Sequence, residues 1–349
     1  MADVDADGVN DFIVGATLQN PGSAPVDIGR AYLYSGRDGR LLARLPPNNP
    51  TAGAQYGWAV SGVPDIDGDG RPDVIVGAPF YNVPSGSSFR GGIWLYRGGD
   101  WGGNIAPRLT AGSPAENGNF EFFGYSVTGL RDVTGDGRGD YVVGSPQSLS
   151  INATGKRGRV YLFNGFTGAL VRNLTTPSNQ NDAQFGHSVF NIPDVTGDGI
   201  NDFLVGAPNE TVNAVAGAGR VYVYNGVTGA LVYSVASPIP TLDGQFGFSV
   251  AGGPDINGDG RGDFIVGAPG EWVNASGRVH IFSGANGALI RSVSSLFQTS
   301  NGNYGRSVHR VPDANSNGKW EFLIGALRES VPLPGVPSQS GVVYLLRNP

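Results

Sequence analysis

Cysteine is absent from the 349 residues, so neither disulfides nor thiolate metal sites are available to this chain. That absence does not choose between a secreted and a cytosolic protein. Lysine occurs only at Lys156 and Lys319, and charged residues make up 15% of the sequence. With no basic patch and no charge run, nucleic acid is not expected as a partner. No apolar run approaches the roughly 20 residues of a membrane helix, so no membrane insertion is expected. The acidic start, Asp3-Val4-Asp5-Ala6-Asp7, has neither the basic nor the apolar region of a secretory leader. Any signal peptide is therefore expected outside this chain. Gly-x-Ser-x-Gly elbows, phosphate-cradling glycine loops and cysteine nucleophiles are all missing, which predicts a non-enzyme with no catalytic residues. The three histidines, His187, His280 and His309, are scattered over strand contexts and read as packing residues.

What is plentiful is glycine, with 57 residues, and proline, with 24. Both punctuate short strands and turns. At 40% hydrophobic, the chain still has enough apolar side chains for a substantial core. These proportions predict an all-β protein.

The punctuation is periodic. Pro64-Asp65-Ile66-Asp67-Gly68-Asp69-Gly70-Arg71-Pro72-Asp73 returns in variant form at Asp132–Asp140, Asp194–Asp202 and Asp255–Asp263. Another copy starts at Asp3, and a degenerate one at Asp313. An aromatic-Gly pair precedes five of the six loops: Tyr56-Gly57, Phe123-Gly124, Phe185-Gly186, Phe246-Gly247 and Tyr304-Gly305. Runs such as Val74-Ile75-Val76-Gly77-Ala78-Pro79 follow them. After a variable segment comes an alternating strand such as Arg159–Phe163, a turn at Asn164–Gly168 and a last strand at Ala169–Leu174. β-Branched and aromatic alternation between Gly/Asn turns reads as strand and hairpin. Four short antiparallel strands per repeat, A to D, predict a β-propeller whose blades are four-stranded. A single propeller domain over 1–349 is expected, with loops starting near 3, 65, 132, 194, 255 and 313.

Phe-Gly, the Asp-rich loop and Gly-Ala-Pro, in that order, resemble the FG-GAP repeats of integrin α-subunit N-terminal propellers and their bacterial relatives. The resemblance runs through nearly the whole chain. It implies up to seven blades in an intact protein, against the six repeats visible. The first repeat lacks its strand A and the last lacks strand D, so N-terminal closing strands are expected before Met1. The resemblance also implies partners on the face opposite the loops.

The first five loops read Asp-x-Asp/Asn/Thr-x-Asp-Gly-x-x-Asp, and the degenerate sixth has Asn317 and Glu321 at positions 5 and 9, so oxygens at positions 1, 3, 5 and 9 can converge on one cation. Gly at position 6 permits the sharp turn, as in a shortened EF-hand loop. Hard oxygen donors without His or Cys favour Ca²⁺, and up to six ions are expected. The expected ligands are Asp3, Asp5, Asp7 and Asp11; Asp65, Asp67, Asp69 and Asp73; Asp132, Thr134, Asp136 and Asp140; Asp194, Thr196, Asp198 and Asp202; Asp255, Asn257, Asp259 and Asp263; and Asp313, Asn315, Asn317 and Glu321. The sixth loop should be the weakest, because Asn315 and Asn317 replace carboxylates. Like charges this dense repel one another unless a cation sits among them. The net charge of −6 therefore reflects these loops rather than a cationic partner.

Two Arg-Gly-Asp tripeptides, ending at Asp140 and Asp263, fall on position 9 and are explained by the loops. The variable B–C and D–A connections are where binding is expected, since variable loops on a rigid scaffold carry function. Aromatics and arginines there are candidate anchors: Phe80, Tyr81, Phe89, Arg90, Trp272 and Arg328, with Glu210 and Glu271 beside them. These features predict a calcium-stabilised, extracellular or cell-surface, monomeric adhesion module with a protein partner. A carbohydrate-binding, lectin-like propeller is the first alternative, and the propeller part of a polysaccharide-active enzyme the second.

Overall fold

The structure is a computed structural model. It describes residues 3–20, 26–82, 89–99, 103–114, 121–146, 157–311, 320–331 and 339–347. It is all-β, with six blades of three or four antiparallel strands arranged as a β-propeller. The only helix among the described residues is one 3₁₀ turn, Val273–Ala275.

The chain divides into two compact units, Met1–Thr175 and Thr176–Pro349. The first unit holds three blades. Blade 1 is β1 (Phe12–Ala16), β2 (Arg30–Tyr34) and β3 (Leu41–Leu45). Blade 2 is β4 (Ala59–Val63), β5 (Asp73–Ala78), β6 (Gly92–Tyr96) and β8 (Leu109–Gly112). Between the last two, β7 (Gly103–Asn104) leaves its own repeat and pairs parallel with β3, giving blade 1 a fourth strand. Blade 3 is β9 (Ser126–Leu130), β10 (Asp140–Ser145), β11 (Arg159–Phe163) and β12 (Leu170–Thr175).

The second unit repeats the plan. Blade 4 is β13 (Ser188–Ile192), β14 (Asp202–Ala207), β15 (Arg220–Tyr224) and β16 (Leu231–Ala236). Blade 5 is β17 (Ser249–Gly252), β18 (Phe264–Ala268), β19 (Arg278–Phe282) and β20 (Leu289–Ser294). Blade 6 has three described strands, β21 (Tyr304–Val311), β22 (Glu321–Ala326) and β23 (Val342–Leu346).

Register explains the sequence pattern. Strand B of blades 2 to 5 is apolar on both faces and fully buried, as a strand covered on both sides must be, whereas β1 of blade 1 leaves Phe12 and Val14 exposed. Directly opposed rings stack across strands B and C: Phe12 on Tyr34, Tyr141 on Phe163, Phe203 on Tyr224 and Phe264 on Phe282, at 5.2–5.6 Å. A β-bulge follows at the same place in four C–D pairs.

The aromatic-Gly pairs fasten neighbouring blades. Tyr56, Phe123, Phe246 and Tyr304 each form an isolated parallel bridge to the glycine just before strand C of the previous blade. The following glycine then abuts the glycine of the preceding Gly-Ala run. A Cβ on Gly15 would lie 1.8 Å from the Gly57 carbonyl oxygen, and one on Gly267 would lie 1.9 Å from that of Gly305. No side chain fits there, which is why both positions are glycine.

Candidate metal centres

Each of the first five Asp-rich loops runs into the start of strand B, and in blades 2 to 5 it joins strand A to strand B. Two carboxylates shape each of these loops before any ion is considered. Position 1 accepts the amides of the tight turn. Asp255 takes Gly258 and Asp259 on Oδ1 at 2.6 and 3.1 Å, and Gly260 on Oδ2 at 2.7 Å. Asp132 does the same with Gly135, Asp136 and Gly137. The two central glycines, such as Gly258 and Gly260, have φ of 81° and 85°, which side chains resist.

Position 9 opens strand B and is buried in every described loop: Asp11, Asp73, Asp140, Asp202, Asp263 and Glu321 are at most 2% exposed. One oxygen of each aspartate accepts the position 2 amide. The other accepts the glycine amide of the C–D turn, Gly36, Gly98, Gly165, Gly226 or Gly284. Glu321 sits opposite Val311, as Asp73 sits opposite Val63 and Asp202 opposite Ile192. Asp313, Asn315 and Asn317 lie outside the described residues.

The electrostatics divide along the same lines. Burial pushes the Asp73 carboxyl up to about 7, against the Ile66 and Gly98 amides that lower it. Burial likewise raises Asp140, Asp202 and Asp263. At Asp65 burial also raises the carboxyl, but the Gly68, Gly70 and Asp67 amides outweigh it and leave the group below its ordinary value. Asp5 is raised by burial and then by its neighbours Asp11 and Asp7.

Among the described residues three carboxylate trios bring ligand oxygens within 4.8 Å of one another: Asp3, Asp5 and Asp11; Asp65, Asp67 and Asp73; Asp255, Asp259 and Asp263. Asp5 Oδ1 is buried with no hydrogen-bond partner. An oxygen-only donor set, a buried carboxylate oxygen lacking a donor and carboxyls pushed toward neutrality together fit a hard divalent cation. The acidic groups of these loops could hold one.

The C–D turn also reaches each of the first five loops, which was not read from the sequence pattern. The residue before its glycine is Ser35, Arg97, Asn164, Asn225 or Ser283. Ser283 Oγ donates to Asp259 Oδ2 at 2.6 Å and Arg97 Nε pairs with Asp67 at 2.8 Å. Asn164 and Asn225 donate to Asp136 and Asp198. The signal was present, because each of the first five C strands ends in x-Gly some 21–25 residues after position 9 of the loop it touches.

At the opposite end of the blades the expected anchors separate. Phe80 is half-buried and meets the rings of Trp58, Phe89 and Phe122 edge-on at 5.2–6.0 Å, while Trp58 contacts Tyr125 at 5.2 Å. Trp58 is 40% exposed. Arg90 spends one guanidinium nitrogen on the Ser113 carbonyl. Trp272 is 39% exposed, with the Arg278 guanidinium 3.4 Å from its ring centre. Arg328 is exposed. Tyr81, however, is buried edge-on against Trp94 and presents no free ring. Glu210 and Glu271 are also buried: Glu210 accepts Arg220 and Tyr222, each at 2.6 Å, and Glu271 accepts His280 at 2.8 Å. Strand register is the reason. The second residue after Gly-Ala-Pro faces the third residue of strand C, pairing Gln19 with Tyr32, Tyr81 with Trp94, Glu210 with Tyr222, Glu271 with His280 and Glu329 with Tyr344. Asp140 and Asp263 are fully buried, so neither Arg-Gly-Asp tripeptide offers its carboxylate to a receptor.

Comparison with known proteins places these features. The family model described as FG-GAP repeat matches residues 56–96, 123–163, 185–224 and 246–282. Integrin alpha-IIb of Mus musculus is 38% identical over 159 residues, covering 43% of this chain and 15% of the relative. Integrin alpha-5 of Xenopus laevis is 30% identical over 228 residues, covering 61% of this chain and 20% of the relative. The chain thus spans a fifth or less of the length of these curated relatives. A crystal structure of BBS1N in complex with ARL6DN, soaked with lead, superposes with a TM-score of 0.52 at 12% sequence identity. The match covers 93% of this chain and 74% of that one, a likeness of fold alone. With the aromatic-Gly fasteners, the Asp-rich A–B loops and the Gly-Ala-Pro ends of strand B all in place, the chain is an integrin α-like FG-GAP repeat propeller.

Proposed function

We propose that this chain is a non-catalytic binding module, one propeller domain braced by Ca²⁺ at its A–B loops, which engages a protein ligand outside the cell through the opposite face. The observation that carries it is the division of each blade into two ends. One end carries the Asp-rich loops, three of which, among the described residues, bring carboxylates together. The other end, in blades 2 and 3, bears the aromatic cluster of exposed Trp58 and half-buried Phe80 and Tyr125. Rigid rings half-open to solvent are the usual anchors of an interface, because they lose little conformational entropy on docking. The integrin α relatives favour adhesion as the use of that surface. Extracellular calcium, near millimolar, suits oxygen-ligand loops of the weak class. Among the described residues no helix is long and apolar enough to cross a membrane.

The test is to probe the calcium-loaded protein against an array of purified extracellular proteins and against a glycan array, with Trp58→Ala as control. Binding to a protein that Trp58→Ala abolishes without changing stability supports the proposal. Binding to glycans alone replaces it by the lectin reading, which the same exposed rings would serve through sugar stacking. Turnover of a polysaccharide would overturn both.

A further inference from the structure

We propose that Asn164 and Asn225 close the third and fourth loops from within, so that these two loops keep their shape without a cation while the first, second and fifth require one. This rests on the calcium reading of the loops and divides them into two classes.

The two asparagines are held identically. Asn164 Oδ1 accepts the Thr167 amide at 2.7 Å and the Thr167 hydroxyl at 2.8 Å. Asn225 Oδ1 accepts the Thr228 amide at 2.6 Å and hydroxyl at 2.8 Å. A backbone N–H only donates, so it must face the amide oxygen, and that fixes the orientation of the side chain. The NH₂ group then has to point into the loop. Asn164 Nδ2 gives one hydrogen to Thr134 Oγ1 at 3.0 Å and the other to Asp136 Oδ2 at 2.6 Å. Asn225 Nδ2 does the same to Thr196 Oγ1 at 2.9 Å and Asp198 Oδ2 at 2.5 Å. These are the position 3 and position 5 oxygens, the ones a cation would draw together. Two amide hydrogens satisfy the oxygens that would otherwise face an ion.

The partner residues change in concert. Threonine stands at position 3 only in the two loops whose C–D turn carries asparagine. Where position 3 is aspartate, the turn side supplies a solvent-exposed arginine arm instead, Arg40 to Asp5 and Arg97 to Asp67, both at 2.8 Å. Such exposed arms can swing away when an ion enters. The carboxylate trios agree: among the described residues they form in the first, second and fifth loops, not in the third or fourth.

Hydrogen–deuterium exchange on the whole chain, in about 1 mM Ca²⁺ and in excess EGTA, tests this directly. Chelation should speed exchange at Gly8, Gly68, Gly70, Gly258 and Gly260 by about tenfold or more and leave Gly135, Gly137, Gly197 and Gly199 unchanged. Equilibrium dialysis with Ca²⁺ alone should count one further ion for each of Asn164→Asp and Asn225→Asp. If the third and fourth loops open together with the others on chelation, the division is overturned and the calcium reading stands. If dialysis finds no bound calcium and no loop responds, the calcium reading itself falls.

Discussion

Replacing Asp202 by asparagine isolates what position 9 does in a loop proposed to keep its shape without calcium. The Asp202 carboxylate is fully buried. Its Oδ2 accepts the Val195 amide at 2.8 Å and the Thr196 amide at 3.1 Å, and its Oδ1 accepts Gly226 at 3.0 Å. Asparagine keeps the shape but has one acceptor oxygen. Turned toward Val195 and Thr196, it sets its NH₂ against the Gly226 N–H; turned the other way, it strands two donors. A hydrogen bond to a charged acceptor contributes about 1.5–3 kcal/mol, and a buried donor left unmet costs about 1–3 kcal/mol. Asparagine escapes the burial penalty that raises the Asp202 carboxyl, which offsets part of the loss. The net cost should be about 2–4 kcal/mol, measured as a lower urea midpoint at unchanged slope. It should be the same in EGTA as in calcium. A cost below about 1 kcal/mol in EGTA would refute the amide-pinning role. A cost seen only in calcium would make Asp202 a metal ligand first.

Chelating the calcium-loaded protein should lower its melting temperature: an ion at ten times its dissociation constant contributes about 1.4 kcal/mol per site, and an unchanged melting curve would remove the structural role. Burial, against the Phe248 carbonyl that His187 Nδ1 faces, holds the His187 ring down at about 4, below the ordinary 6.5. The unfolded chain then takes up the proton first, so stability should fall as pH drops from about 6.5 to 4, by about 3 kcal/mol in total. His187→Gln should make that part of the stability–pH curve shallower, with His309, also held down to about 4 by burial, supplying the slope that remains, and an identical slope in the variant would exclude His187 as a source. Gly267→Ala would place a methyl 1.9 Å from the Gly305 carbonyl oxygen and should cost about 3 kcal/mol by forcing two blades apart. An alanine variant as stable as the parent would show that the blades are not fastened there.

The repeat was legible because its signals are local. Asp-x-Asp-x-Asp-Gly specifies its own turn through amides two to five residues away, and alternation specifies strands one at a time. The Tyr56 and Phe246 pairs could be read as core from their neighbours alone. What was hidden depends on register between distant strands. Glu210 and Glu271 look like surface charges on a variable loop, yet each faces the third residue of strand C and is buried there. Tyr81 is buried for the same reason. Asn164 looked like a turn residue, and the turn does use its Oδ1 atom, as the equivalent turn uses that of Asn225. Only the fold shows that their other end enters a loop some thirty residues earlier.

The blade fasteners have a consequence for how the chain assembles. Tyr56 bridges to Gly29, Phe123 to Gly91, Phe246 to Gly219 and Tyr304 to Gly277, each aromatic seating on a blade already complete up to its strand C. The receptor of each of these four joints therefore lies upstream of its plug. A chain emerging from the ribosome N-terminus first would always meet a finished socket before making the part that fills it. Within each unit, growth of the polypeptide and stacking of the blades run in the same direction.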